Sequence, residues 1–336
     1  MKYIITVDGG TSNTRAYLWN TDEKIVAQRS QAIGAKDSAI NGSNASWKIA
    51  IHDMINSMLT EYGISADDVL GVYMSGMLTS DLGIREVPHL TAPVSMKNYQ
   101  EYLVRVHLPE IFPKDIFLIP GIKNELQMPA SLESLRTFDI MRGEETETYA
   151  LIEQYGASQN TIYILPGSRN KYVFVDENSI VLATSTTLSG ELLNSIINDT
   201  IVSSSVNREF PSMEHYDLKM VHYGCDMHRK EGIGRALFLT RLFDRFGKQS
   251  KYALQNYVLG VILESDFALL HNAPFFKNAS NIRIVIHGNS SFSHALYELL
   301  KEEAIFDNII LHDSAAFPIA AQGAYHLAIK NLQIQS

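Results

Sequence analysis

Short apolar runs broken by turn residues alternate with longer helical stretches along the whole chain. YIITV (3–7), RAYLW (15–19) and KIVAQ (24–28) read as strands separated by turn chemistry. Residues 46–62 place Ile49, Ile51, Met54, Ile55, Met58 and Leu59 at the spacing of one helical face. VLGVYMSG (69–76) predicts a further strand. After a loop-rich span with Pro88, Pro93, Pro109 and Pro113, DIFLIPG (115–121) predicts another. Residues 139–155 predict a helix that opens with acidic groups.

From Thr161 the plan restarts. TIYIL, PGSRN, KYVFVD and SIVLATSTTL set out a strand, a glycine-bearing turn and two more strands, as over residues 4–33. The layout is duplicated without the residues. Helical patterns follow at 189–203, 231–246 and 250–270, and the apolar and aromatic positions of 236–246 are expected in the core. The chain closes with strand IRIVIHG, helix 291–303, strand IILHD and an alanine-rich helix over 314–330. This alternation predicts an α/β protein of two lobes, 1–156 and 157–336, with the boundary where Gly156 and Ser158 follow a helix.

The length of 336 residues is ample for two cores. A net charge of −9 argues against nucleic acid as a partner. The single cysteine, Cys225, excludes an intramolecular disulfide framework and an all-cysteine zinc site. No apolar leader opens the chain, and no stretch was expected to reach the roughly twenty apolar residues of a membrane helix. A cytoplasmic location is the expectation.

The richest local chemistry lies in Asp8-Gly9-Gly10-Thr11-Ser12-Asn13-Thr14-Arg15. Glycines let backbone N–H groups approach an anion, and Thr11, Ser12 and Asn13 add donors. Asp8 stands where Mg²⁺ on a nucleotide's phosphates needs an oxygen ligand. A polar-tipped glycine hairpin with no ligand has the same pattern. His222, Cys225 and His228 have ligand-like spacing but no evident fourth partner, in what reads as a loop. Gly232-Ile233-Gly234 precedes a helix without following a strand, unlike a dinucleotide turn.

Taken in order, DGGTSNTRAYLW, MSGMLTSDLG (74–83), FLIPGI (117–122), MRGEETETYALI (141–152), LPGSRNKYVFVD (165–176) and HDSAAFPIAAQGAYHLA (312–328) resemble the 2-keto-3-deoxygalactonate kinases. These belong to the sugar-kinase, heat-shock-chaperone and actin superfamily, and the run MRGEET is the most specific match. The resemblance implies two actin-like (ribonuclease H-like) lobes, each a mixed sheet flanked by helices, with an interdomain cleft and a last helix returning toward the hinge. It implies phosphorylation of the terminal hydroxyl of 2-dehydro-3-deoxy-D-galactonate by ATP with Mg²⁺. Asp8, Gly10, Thr11, Ser12 and Asn13 map to the first phosphate hairpin, and Gly167, Ser168 and Lys171 to the second phosphate turn. Gly288 and Asn289 map to the adenosine segment, Asp8 to the metal ligand and Glu144 to the general base.

A carboxylate within reach of the substrate hydroxyl is what phosphoryl transfer asks of such a base, whereas most acidic triplets opening a helix are solvated charges. Arg15 and Arg142 are candidates for the substrate carboxylate or for structural ion pairs; Ser75, Gly76 and Met77 form a loop that could meet sugar hydroxyls. The chain departs from the family pattern at Ser168-Arg169, at His287 and at Tyr172, where Thr-His, a small residue and Trp are usual. The alternatives are a kinase for another sugar or sugar acid, or a non-catalytic sugar-binding sensor. The expected partners are the sugar acid and ATP, without nucleic acid or membrane, and the oligomeric state stays open between monomer and homodimer.

Overall fold

The computed structural model describes residues 1–156, 158–272, 281–303, 306–313 and 318–335. Through the first half the elements are β1 (Tyr3–Gly9), β2 (Thr14–Asn20), β3 (Ile25–Gln31), α1 (Ala35–Asn41), α2 (Ala45–Glu61), β4 (Val69–Gly76), β5 (Leu90–Thr91), β6 (Val94–Ser95), β7 (Val104–Val106), β8 (Ile116–Leu118), β9 (Ile122–Lys123), α3 (Leu132–Arg136), β10 (Ile140–Met141) and α4 (Glu144–Tyr155). The second half continues with β11 (Thr161–Leu165), β12 (Asn170–Val175), β13 (Ile180–Thr187), α5 (Ser189–Asp199), α6 (Leu218–Glu231), α7 (Ile233–Arg245), α8 (Lys251–Asn272), β14 (Ile282–His287), α9 (Ser291–Lys301), β15 (Phe306–His312) and α10 (Ile319–Gln335).

The chain forms two compact units. Unit 1 holds Met1–Ala157, Asn178–Thr184 and Ala315–Ser336; unit 2 holds Ser158–Glu177 and Ser185–Ser314. After the boundary expected at 156/157, the chain thus rejoins unit 1 twice, through the start of β13 and through α10.

In unit 1 the sheet order is β3-β2-β1-β4-β8-β7; in unit 2 it runs β15-β14-β11-β12-β13. Counted from the first strand of each half, both contain the order third, second, first, fourth. β1 pairs antiparallel with β2 and parallel with β4, and β11 pairs antiparallel with β12 and parallel with β14. The repeated layout read in the sequence is thus a repeated topology, and the two mixed α/β sheets agree with the expected fold class.

β1 reads as a nearly continuous apolar run because both sheet faces are covered. Ile5 and Val7 join Ala16, Leu18 and Met74 beneath Trp47, Ile51, Met54, Ile55 and Met58 of α2. On the other face Ile4, Tyr17, Trp19, Tyr73 and Phe117 pack with Ala321, Tyr325 and Ala328 of α10. Polar atoms in these layers are paired: Trp19 Nε1 donates to the Thr6 hydroxyl at 2.9 Å, and Trp47 Nε1 to the Thr14 hydroxyl at 2.7 Å. Ile49, expected on the apolar face of α2, is exposed, since the buried stripe runs through Trp47, Ala50 and Met54 instead.

Backbones meet directly at two helix crossings. A Cβ on Gly323 of α10 would lie 1.9 Å from the Thr146 carbonyl of α4, and one on Gly260 of α8 would lie 1.9 Å from the Val221 carbonyl of α6. At the second crossing the Cys225 thiol donates to Gly260 O at 3.2 Å and His228 Nδ1–H to Val261 O at 2.6 Å. These residues therefore lie on a helix, not the loop read from the sequence, and His222 pairs with Glu302. Among the described residues no group of three His, Cys, Asp or Glu side chains is arranged to hold a metal ion.

Further differences follow from tertiary context. The helix read at 139–155 starts only at Glu144, because Ile140 and Met141 pair with β9. Except for Glu231, α6 lies outside the helices read from the sequence. α7 is peripheral: Ala236 and Thr240 are buried, whereas Phe238 and Phe246 are exposed, against the expectation for 236–246. Contrary to the sequence reading, α8 is long and apolar enough to cross a membrane by length and composition, but its apolar window is 72% buried. The closing helix begins at Ile319, and residues 314–317 of the expected span lie outside the described residues.

Two glycine substitutions should have opposite signs. Gly260→Ala is expected to lower the unfolding free energy by about 1–3 kcal/mol, because the helices must separate. Gly234→Ala meets open space on α7 and should raise it by about 0.5 kcal/mol. Urea denaturation of both variants checks the pair of signs.

Candidate active site

Both glycine turns are braced in the same way. In the first, Gly10 N–H donates to Asn13 O at 2.8 Å, while Gly10 O and Thr11 O accept from the N–H groups of Ala35 and Lys36 at 3.2 and 2.9 Å. The amides opening α1 thus hold the turn's carbonyls down, and Thr11, Ser12 and Asn13 stand exposed at the tip. Only glycine fits beneath, since a Cβ on Gly34 would sit 2.5 Å from Gly10 O.

In the second, Gly167 N–H donates to Asn170 Oδ1 at 3.1 Å and Glu191 N–H to Ser168 O at 2.7 Å. A Cβ on Gly190 would lie 2.0 Å from Gly167 O, so Gly190 does for α5 what Gly34 does before α1. Gly167, Ser168 and Arg169 are exposed, as is the first tip. Gly34 and Gly190 were missed in the sequence, where the signal was a glycine at almost equal distance after each turn.

The second turn opens on a cavity of about 610 Å³ within unit 2. Leu193, Phe210, Met213 and Phe292 supply apolar walls; Ser168, Asn194, Ser195 and Ser290 supply polar groups. This is the size and make-up of a small-ligand pocket. Gly288 and Asn289, expected at the adenosine, lie just before the lining residues Ser290, Ser291 and Phe292, and Gly288 takes a positive φ of 106° that favours glycine. The His287 ring stacks on His312 with centroids 5.5 Å apart, and burial with that neighbour lowers its pKa to about 4. Lys171 is buried and its ammonium donates to the Thr186 hydroxyl, and Arg169 pairs with Glu191 at 3.5 Å.

In unit 1, glycines bring three carboxylates together. Asp8, next to last in β1, approaches Gly76, the last residue of β4, with Oδ1 only 2.9 Å from where a Gly76 Cβ would be. Gly143 approaches the same spot: its own Cβ would lie 3.4 Å from Gly76 Cα, and its φ of 115° also calls for glycine. That approach starts α4 next to Asp8. Glu144 Oε2 accepts the Arg142 N–H at 2.9 Å, which orients the carboxylate.

By area Asp8 and Glu147 are only partly buried, yet the surrounding protein strips enough water to dominate both. Burial raises Asp8 to about 6, opposed by Arg15 and aided by Glu144. Burial raises Glu147 to about 8, aided by Glu144 and Asp8. Glu145 differs, being fully buried, with Oε2 accepting Gly143 N–H at 2.7 Å and burial pushing its pKa well up. Of these carboxylates the sequence reading singled out Asp8 and Glu144; Glu147 was passed over as a solvated helix charge.

Arg15 faces Asp8 across the β1–β2 ladder and is exposed. Among the described residues Arg142 forms no ion pair, and both of its terminal nitrogens are engaged. Its guanidinium donates to the Thr79 carbonyl at 2.7 Å, the Thr79 hydroxyl, the Val87 carbonyl at 2.9 Å and His89 Nδ1 at 3.1 Å. A guanidinium cannot accept, so Nδ1 of His89 carries the lone pair; burial, Arg142 and Lys123 hold that ring's pKa down to about 4. Arg142 thereby frames the end of β4 and the segment after it, in which Ser75 and Gly76 are buried and Met77 is half-buried against the α2-side core.

The 2-keto-3-deoxy-galactonokinase family model matches residues 8–317. Over 204 residues the chain is 26% identical to a Rhizobium meliloti protein named Probable 2-dehydro-3-deoxygalactonokinase DgoK1, covering 61% of this chain and 59% of that protein. Over 280 residues it is 25% identical to the Escherichia coli 2-dehydro-3-deoxygalactonokinase, covering 82% of each. A crystal structure from Sinorhizobium meliloti carrying the same enzyme name superposes with a TM-score of 0.76 at 20% identity, over 98% of this chain and 99% of that one, and thus shares the fold. With the match running from Asp8 almost to the last helix, the chain belongs to the 2-keto-3-deoxy-galactonokinase family.

Proposed function

We propose that this protein transfers the γ-phosphoryl group of ATP to the terminal hydroxyl of 2-dehydro-3-deoxy-D-galactonate, with Glu144 as general base. Beyond family membership, the observation that carries the reading is the placing of Glu144 beside Asp8 by the approach of Gly143 to Gly76. The unit 2 cavity suits a nucleoside, with apolar walls for a base and the second glycine turn for phosphate. The exposed tip of the first turn offers the donors of Thr11, Ser12 and Asn13 to an anion such as phosphate.

Asp8 fits a cation ligand: its carboxylate makes no hydrogen bond among the described residues, and Arg15 offsets only part of the effect of its burial. Mg²⁺ typically keeps several waters and phosphate oxygens and needs only one or two carboxylates. When bound it would neutralise phosphate charge. Arg15, exposed across from Asp8, would meet the negative charge of the substrates.

Glu144 is held through one oxygen by the Arg142 amide, which leaves the other to take a proton. As the substrate oxygen bonds to the γ-phosphorus, its proton passes to Glu144, the bond to the bridging oxygen breaks and ADP leaves. Arg142 shapes the walls around the acceptor by holding Thr79, Val87 and His89 in place. Ser75, Gly76 and Met77 lie at the end of that wall nearest Asp8.

ADP release across a panel of keto-deoxy and aldonic acids should be fastest with 2-dehydro-3-deoxygalactonate; faster turnover of another acid reassigns the substrate. Glu144→Gln should lower kcat at least about a hundredfold with the fold intact. Near-normal turnover in that variant removes Glu144 from the mechanism.

Glu147 supplies a pH test. Its pKa rises from the ordinary 4.5 to about 8, so between those values the native state keeps a proton that the unfolded chain has released. Stability contributed by this group therefore falls as pH rises through that window and is level above it. Glu147→Gln keeps the neutral form at every pH. Its stability advantage over wild type, from urea denaturation, should grow from about pH 5 to about pH 8; a constant difference contradicts the assignment.

A further inference from the structure

Asp266 lies on α8 with no exposed surface, and it is neither a residue of the cavity wall nor a member of the carboxylate group near Glu144. Its Oδ2 accepts from Asn170 Nδ2 at 2.9 Å and from the Tyr172 hydroxyl at 2.8 Å, and its Oδ1 accepts from the Ser189 hydroxyl. A buried carboxylate is tolerated only where its lone pairs are met, and here three side chains meet them. All three belong to the surroundings of the second glycine turn. Asn170 closes the turn through the Gly167 N–H, and Tyr172 follows two residues on, on the same side of β12. Ser189 opens α5, whose Gly190 lies under Gly167 O and whose Glu191 amide holds Ser168 O. The positive end of α5 also favours a carboxylate at that position.

One side chain thus joins the outgoing strand of the turn to the helix that braces it from below. The first turn has no such carboxylate: there Asn13 closes the turn with its backbone carbonyl, and Thr14 is held through Trp47 and Ile33 O. We propose that Asp266 is a positioning residue that keeps the second glycine turn in its phosphate-binding shape, reached through Asn170, Tyr172 and Ser189. The inference rests on reading that turn as a phosphate site. Asn at this position has the same size but sets an amide N–H against side chains that all donate. Gln255, buried on the same helix and donating to Val206 O at 3.0 Å, provides a comparison that lies away from the turn.

The test measures KM for ATP and for the sugar acid, and calorimetric affinity for MgADP and for adenosine, in Asp266→Asn, Tyr172→Phe, Ser189→Ala, Gln255→Leu and Ser168→Glu. In Asp266→Asn the KM for ATP and the Kd for MgADP should rise about tenfold or more, with little change in KM for the acid or in adenosine affinity. Tyr172→Phe and Ser189→Ala should shift the same two values in the same direction by less, and Gln255→Leu should not separate MgADP from adenosine. If Asp266→Asn does not fold, the single-donor variants decide. Wild-type MgADP affinity in both of them overturns the proposal, as does an equal loss of MgADP and adenosine binding. Ser168→Glu places a carboxylate on the exposed turn: unchanged MgADP affinity there refutes the phosphate reading itself, whereas weakened binding there with normal binding in the Asp266 series refutes only the role of Asp266.

Discussion

Backbone carbonyls turned down onto the amides of a following helix are the constraint on which both halves of this protein rest. A glycine bend left to itself has no reason to hold one shape. Gly10 O and Thr11 O are tied to the opening of α1, and Ser168 O to the opening of α5, so each bend is locked with its tip outward. The lock needs a glycine beneath it, at Gly34 and at Gly190, because any side chain would strike the carbonyl above. Fixing carbonyls inward leaves an exposed tip where an anion meets donors instead of like partial charges. The strand order repeated in both sheets delivers this same device twice.

Within unit 1 the fold also concentrates negative charge. Glu144 adds to the rise in proton affinity of Asp8 and Glu147, and the three gather there because Gly76 and Gly143 let the end of β4 and the start of α4 come together. Such a cluster is costly in an empty site and favourable once a cation or a transferable proton is present. Asp266 shows the opposite treatment of a buried carboxylate, satisfied by three neutral donors. Asp8 accepts no hydrogen bond among the described residues whereas both oxygens of Asp266 are met, a contrast in keeping with the chemical and positioning roles proposed for them.

Arg142 illustrates why side-chain type alone misleads. Next to a candidate base, a guanidinium suggests recognition of a carboxylate, but its donors are spent on two backbone carbonyls, a hydroxyl and a neutral histidine. Phe238 and Phe246 mislead in the same way: their helical spacing suggested core, yet α7 lies at the surface of unit 2, where only Ala236 and Thr240 are covered. Periodicity reports that a helix has an apolar side; it does not say whether a neighbour is there to cover it.

Local chemistry was enough to specify the strands around each glycine bend, the duplicated layout, the acidic opening of the helix at Glu144, and the motifs that carry the family. Those features depend on residues near one another in the chain, where turn, strand and cap preferences act directly. Distance along the chain hid the rest: the bracing glycines Gly34 and Gly190, the backbone-to-backbone crossings at Gly260 and Gly323, and the gathering of Asn170, Tyr172 and Ser189 around Asp266. Each of these requires segments far apart in sequence to touch. Only the packed fold decides which side chain, or which missing side chain, stands at the point of contact.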